Sequence, residues 1–291
     1  MPPRTSVPHS KVGLRDLLFA VRGSIVPHIA LRVIVLTALS CGVVYWVTSH
    51  DDPFAGLGTA PFTLIGISIS IFMSFRNNAC YDRWWEGRRQ WGHLVVAARS
   101  LVRETMPFRS KERRERILRS LCGYTHALAA RLRGLDEAAA ARAWLPARAD
   151  GFSAGANVSN AILNDIGREL SSLAEDGEIS EWRYTMLEAR LVEISTVQAA
   201  CERIKNTRLP FAYTLLIHRT TYAFCCLLPF GLATHLGWGT PVIVAVVSYT
   251  FFGLDAIGDQ LEDPFGKDDN DLPLDELVRI VEDDISAGLD A

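Results

Sequence analysis

Three acidic residues at the end of the last apolar stretch are the first candidates for chemistry. Asp255, Asp259 and Glu262 fall on one face of a helix, and Asp255 with Glu262 could hold a metal ion. The alternatives are a polar face where that stretch ends, or ion-pair partners for basic helices elsewhere in the chain. No HExxH, GxSxG, P-loop or GxGxxG pattern accompanies these carboxylates. The six cysteines include no CxxC pair, so we expect no metal site, no disulfide framework and no catalytic residue.

A second pattern lies in residues 61–75, where isoleucine alternates with serine and no side chain is charged. The alternation resembles a strand, but an open strand inside a bilayer would leave its backbone polar groups unsatisfied. We therefore predict a helix, on which every fourth residue points in nearly the same direction. Two adjacent stripes result, one small (Gly66, Ser70, Ser74) and one bulky (Ile67, Ile71, Phe75).

The two stripes have two interpretations. A small stripe lets membrane helices approach closely, and the neighbouring bulky stripe would then point toward the axis of a ring of helices. A ring of Ile and Phe side chains is a hydrophobic constriction, which can gate ion flow by dewetting. Alternatively, all six residues face lipid or neighbouring helices as ordinary packing. Spacing alone leaves both interpretations open.

The elements that position these residues follow from three charge-free runs, 33–50, 53–75 and 220–254. A bilayer core needs about 20 apolar residues per helix, so the first two runs predict one span each. The third is long enough for two, with a turn at 237–241. The alternative is a set of core helices in a large soluble protein. The first 22 residues are polar and predict no cleavable signal peptide.

The basic residues predict the orientation of these four spans. Residues 76–208 carry 22 of the 30 Lys and Arg side chains, whereas the first connection carries only Asp51 and Asp52. By the positive-inside rule, the N-terminus, the 76–208 segment and the C-terminus face the cytoplasm. The prediction is a multi-pass protein of the cell membrane, with both short turns outside.

Four segments follow from this division. Residues 1–75 contain the N-terminal segment and spans 1 and 2, and residues 209–254 contain spans 3 and 4. Residues 76–208 read as amphipathic cytoplasmic helices, and 255–291 is acidic, with 13 Asp and Glu. No useful alternating strand pattern is present, so the predicted fold class is all-α.

Three stretches together resemble the bestrophin family, including its bacterial branch. Residues 76–86 read RNNACYDRWWE, residues 200–213 include ACERI and LPFAY, and residues 255–266 end in EDPFG. The resemblance covers roughly 20–275. It implies a homo-pentameric ion channel with four membrane helices per subunit and a helical cytoplasmic part. Its partners would be inorganic ions and membrane lipid, with no nucleic acid.

On matching positions, the resemblance implies that Ile67, Ile71 and Phe75 form a narrow neck. Leu209, just before Pro210, would form a second constriction on the cytosolic side. Closeness to the bacterial branch favours monovalent cations, and a chloride or anion channel is the alternative. Asp51 and Asp52 would attract cations if they line the outer mouth.

A coupled transporter and a non-catalytic membrane scaffold remain alternatives from other classes. Coupled transport usually needs ionisable residues at mid-membrane, and the spans at 53–75 and 220–254 contain no Asp, Glu, Lys or Arg. The family's animal members clasp calcium with acidic residues after Pro-Phe-Gly. Here only Asp268 and Asp271 match this run, beside Lys267 and Asn270. Calcium prefers six to eight oxygen ligands, so we expect a solvated acidic loop and no cofactor.

Overall fold

The computed structural model describes residues 24–50, 58–149, 151–152 and 157–290. Within these ranges the ordered elements are ten α-helices and one short 3₁₀ turn, and no strand occurs. The predicted all-α class is confirmed. The helices are α1 (Val26–Ser49), α2 (Ala60–Thr105), α3 (Lys111–Leu132), α4 (Glu137–Ala141), α5 (Pro146–Ala149), α6 (Val158–Glu175), α7 (Glu181–Asn206), α8 (Phe211–Leu236), α9 (Thr240–Glu262) and α10 (Leu274–Asp290).

The chain divides into two compact units. The first, called the apolar unit below, takes its described residues from Met1–Asn78 and Phe211–Asp259. The second, called the bundle unit, takes them from Ala79–Pro210 and Gln260–Ala291. Helices α2 and α9 each contribute to both units. The four segments drawn from the sequence are a linear division, and their limits stay predictions.

The apolar unit contains α1, α8, α9 and the first part of α2. Two stretches, Val26–Ser49 and Phe211–Glu262, are long and apolar enough to cross a membrane, and the second contains both α8 and α9. Helix α8 packs against α1, and Phe252 lies in the buried core. Many large apolar side chains point away from this core and are exposed, among them Leu31, Ile34, Leu64, Val242 and Val246.

The bundle unit is a set of helices packed around an apolar core. Helix α3 contacts α4, α6, α7 and α10, and its face carries the buried Leu121, Tyr124 and Leu128. Ser110 and Ser180 cap α3 and α7 by accepting hydrogen bonds from backbone N–H groups of the first turn. Residues 121–130 of α3 are buried on nearly every side, which makes α3 the central helix of the unit, whereas burial on α6 recurs at the helical spacing of Ile162, Ile166, Leu170 and Leu173.

The cysteines of the bundle unit are packing residues. Cys122 and Cys201 lie in its core as free thiols. Burial raises the pKa of both thiols to about 12, so they stay protonated and unreactive near neutral pH.

Candidate functional site

The first part of α2 presents two opposite faces. Ile69 and Met73 are buried among the other helices of the apolar unit. The opposite stripe is exposed: Ile67 by 54%, Ile71 by 50% and Phe75 by 62%. Helical spacing predicted that these three residues share a direction, and within one protomer that direction leads away from the core.

The small stripe is divided between two environments. Gly66 lies against Phe224 of α8, and a Cβ at this glycine would lie 3.2 Å from the Cζ of that ring. Ser70 and Ser74 are exposed, and the Ser70 hydroxyl donates to the Gly66 carbonyl at 2.8 Å. Gly66 therefore supports packing inside the protomer, while the two serines face outward beside the bulky stripe.

A buried charged cluster directly follows Phe75. The side chain of Arg76 is 0% exposed, and its Nη1 donates to Oδ1 of Asp255, on α9, at 2.7 Å. Its Nη2 pairs with Asp259, one turn further along α9. Nδ1 of His218, on α8, lies 2.8 Å from the second carboxylate oxygen of Asp255. Three helices thus meet at one group of compensating charges.

The cluster shows which positive charge compensates the acidic residues Asp255 and Asp259 of α9. His218, Asp255 and Asp259 bring three ligand atoms within 4.8 Å of one another, which is close enough to consider a metal ion. The guanidinium of Arg76, however, already bridges the two carboxylates and supplies the positive charge that a cation would. The ion-pair interpretation therefore fits Asp255 and Asp259 better than a metal site.

Two hydrogen bonds to main-chain carbonyls flank the cluster. The Tyr213 hydroxyl donates to the Phe72 carbonyl at 3.0 Å, and Asn77 Nδ2 donates to the Leu254 carbonyl at 3.0 Å. The end of the exposed stripe is thus held by polar contacts to both α8 and α9.

Leu209 lies in the bundle unit, in the non-helical link 207–210 that follows α7, and its side chain is half-buried. The chain just before it is fixed by Arg83, whose guanidinium donates to the carbonyls of Ile204 and Thr207. The proposed outer-mouth residues Asp51 and Asp52 lie outside the described residues.

The two calcium candidates stabilise their own loop. Oδ2 of Asp271 accepts a hydrogen bond from the Asp268 backbone N–H at 2.7 Å, and this carboxylate packs so closely on Gly266 that a Cβ there would collide with it. Trp84 Nε1 donates to the Asn270 carbonyl at 3.0 Å. One of the two candidate carboxylates is therefore engaged with backbone.

Arg76 and His218 were not among the functional candidates drawn from the sequence. Arg76 had a signal there, because it is the first charge after an apolar run and a charge at that place needs a partner. Asp255 is the first charge after the last apolar run, so it was the natural partner to test.

Comparisons with known proteins extend over nearly the whole chain. Residues 5–287 match the family model described as bacterial and fungal bestrophin protein. The chain is 41% identical over 268 residues to the voltage-dependent anion channel-forming protein mll4386 of Mesorhizobium japonicum, covering 92% of this chain and 87% of that protein. It is 38% identical over 272 residues to the voltage-dependent anion channel-forming protein YneE of Escherichia coli K12, covering 92% and 89%. It also superposes on the crystal structure of a bacterial bestrophin homologue from Klebsiella pneumoniae with a TM-score of 0.86 and 35% identity, covering 90% of this chain and 98% of that one.

Proposed function

Because this chain belongs to the bacterial and fungal bestrophin family, we propose that it is the pore-forming subunit of an ion channel in a membrane. The observation that carries the proposal is its likeness, over nine-tenths of its length, to proteins named as channel-forming. Conduction is passive and has no chemical step. The family is one of channels and not of enzymes.

The proposed membrane part is the apolar unit. Four spans would come from α1, the apolar beginning of α2, α8 and α9, which together return the chain to its starting side. The supporting observations are the two long apolar stretches and the concentration of 22 Lys and Arg in 76–208. Both termini and the bundle unit would then be cytoplasmic.

The proposed assembly is a homo-oligomer, and by family resemblance a pentamer. One α2 helix cannot enclose a pore, so a ring of copies is needed for its exposed stripe to face an axis. Ser70 and Ser74, exposed beside that stripe, would allow neighbouring α2 helices to approach closely. Native mass spectrometry of the detergent-solubilised protein should give the mass of five chains.

The neck of the proposed pore is formed by Ile67, Ile71 and Phe75, with Leu209 at a second, cytosolic constriction. Rings of such side chains offer an ion no polar ligand, so passage depends on whether water fills the constriction. All three stripe residues are exposed in the protomer, as a position on a pore axis requires, but Ile65 and Phe72 are exposed as well, so the choice of this stripe rests on the family resemblance.

The ion that passes is proposed to be an anion. The relatives that match over most of the chain are named as anion channel-forming proteins, and those names give no support to the preference for monovalent cations expected from the sequence. An apolar neck does not itself distinguish the sign of charge, so selectivity would arise in the wider parts of the pore.

Single-channel recording of the purified protein in a planar bilayer under a KCl gradient tests both parts of the proposal. Discrete conductance steps with a reversal potential near that of chloride are expected. Steps that reverse near the equilibrium potential of potassium would support the channel function but overturn the anion assignment. The absence of steps, with an intact oligomer verified, would favour a coupled transporter or a scaffold, and proton flux coupled to uptake in liposomes would identify the former.

A further inference from the structure

The C-terminal end of the exposed stripe, around Phe75, makes polar contacts with both α8 and α9. Within six residues of α2, the Phe72 carbonyl accepts from Tyr213, Arg76 pairs with Asp255, and Asn77 donates to the Leu254 carbonyl. The N-terminal end of α2 is held differently. There, Phe62 and Gly66 contact α8 through apolar packing. Polar attachment is thus concentrated around Phe75.

Arg76 and Phe75 are neighbours in the chain with opposite environments. The Arg76 side chain is completely buried, whereas Phe75 is exposed. Successive side chains on an α-helix point about 100° apart. Fixing the direction of Arg76 therefore fixes that of Phe75 and, through the helix, those of Ile71 and Ile67.

The approach of α9 to this point is unusually close. A Cβ on Gly258 would lie 2.5 Å from Oδ1 of Asn77 and 3.3 Å from Nη1 of Arg76. A larger residue at 258 would displace α9 or the two α2 side chains. The glycine therefore permits the geometry in which Arg76 reaches both Asp255 and Asp259.

A buried ion pair of this kind contributes more to geometry than to stability. Removing two charges from water costs most of what their attraction returns, and the best-attested role of such pairs is to fix the register of packed elements. The Asp255 carboxylate is itself held on its other side by His218. The acceptor for Arg76 thus has a fixed position relative to α8 as well as α9.

We propose that Arg76 is a positioning residue of the pore, which, paired with Asp255, sets the rotation of α2 so that Ile67, Ile71 and Phe75 line the neck. This inference rests on the proposed channel function and deepens it. Arg76 touches no permeating ion; it acts by holding the stripe. Loss of the pair lets the first part of α2 turn against α8 and α9, and other faces of that part then reach the pore.

Cysteine accessibility measures that rotation. Ile71→Cys, on the stripe, and Met73→Cys, on the buried face, are placed separately in the full-length protein in planar bilayers. Each is exposed to a charged, membrane-impermeant methanethiosulfonate, and the rate of current block is recorded. The protein with only its natural cysteines gives the baseline. In the otherwise natural sequence, rapid block is expected for Ile71→Cys and none for Met73→Cys.

The rotation is then perturbed by Asp255→Asn, which keeps the shape of the side chain and removes its charge. We expect the block rate at position 71 to fall about tenfold, a size typical of coupling between contacting residues, and block to appear at position 73. Asp284→Asn is the matched control, since Asp284 pairs with Arg99 at the surface of the bundle unit, and it should change neither rate. Gly258→Ala retains every charge and should reproduce the shift of Asp255→Asn.

The outcomes separate the two proposals. If Ile71→Cys conducts but is never blocked, residue 71 does not line the pore, and the neck assignment is wrong whatever the role of Arg76. If it is blocked at the same rate with and without Asp255→Asn, and Gly258→Ala is equally silent, the neck stands and the positioning role of Arg76 is overturned. Equal shifts from Asp284→Asn would also overturn it, because the effect would then not belong to the buried pair.

Discussion

The two units of this protein both have apolar cores, but they differ in what they expose and in the charges that they bury. The apolar unit exposes large aliphatic residues such as Leu31 and Val246 and hides a charged pair, Arg76 with Asp255. The bundle unit hides Trp91 and Leu128 in its core and places many ion pairs at its surface, for example Arg119 with Glu115. Each unit exposes the kind of side chain that its surroundings accept, and an apolar surrounding cannot solvate a charge such as that of Arg76. This difference is expected if, as proposed, the apolar unit lies in a membrane and the bundle unit in water.

The largest expected effect comes from breaking the pair that the apolar unit hides. Arg76→Met leaves the Asp255 carboxylate buried without its guanidinium, which typically costs about 3–5 kcal/mol. We expect a large drop in the denaturation midpoint of the detergent-solubilised protein. The double variant Arg76→Met/Asp255→Leu should recover most of the loss. A single variant as stable as the natural protein would show that the charge is not buried.

The next effect contrasts the same residue type in the two units. Leu128→Ala removes a fully buried side chain from the bundle core and should cost about 2–5 kcal/mol. Leu31→Ala removes an exposed one from the apolar unit and should change stability in detergent by less than about 0.5 kcal/mol. Denaturation curves of Leu128→Ala and Leu31→Ala, measured under the same conditions, check this contrast. Similar losses would mean that Leu31 packs against protein and not against lipid or detergent.

A smaller effect, dependent on pH, belongs to the bundle unit. Burial raises the pKa of Glu202, but hydrogen bonds from Gln198 and Asn157 and the charge of Arg131 outweigh it and lower the pKa below its ordinary value. A lowered carboxyl pKa stabilises the fold at neutral pH, and this contribution is lost as the pH falls through the folded-state pKa. Glu202→Gln should therefore cost about 1–2 kcal/mol at pH 7, with the gap closing in acid. Stability measured from pH 7 to pH 3 checks it, and a gap that widens in acid would contradict the assignment.

Local sequence patterns predicted much of this structure. The 3.6-residue period gave the direction shared by Ile67, Ile71 and Phe75, because it depends only on neighbours along one helix. The charge-free runs 33–50 and 220–254 predicted α1 and the pair α8 and α9. Hydropathy, like helical spacing, depends only on residues that are neighbours along the chain. The family was identified from motifs such as the EDPFG that closes 255–266.

Contacts between distant parts of the chain were beyond that reasoning. Arg76 and Asp255 are 179 positions apart, and no periodicity relates them. The acidic face of α9 was visible in the sequence, but whether a metal ion or a guanidinium compensates it depends on which helix packs there. Asp271 is a similar case, since its charge is visible while its engagement with the Asp268 backbone is not.

The proposed pore is tested most directly by asking whether the exposed stripe of α2 controls the current. Single-channel open probability is measured for Ile67→Ala, Ile71→Ala and Phe75→Ala, with Ile65→Ala as the matched control on another exposed face of the same helix. Smaller side chains should wet the constriction, so the three stripe variants should raise open probability and the control should not. If all three leave the current unchanged, or if the control alters it equally, the stripe does not line the pore.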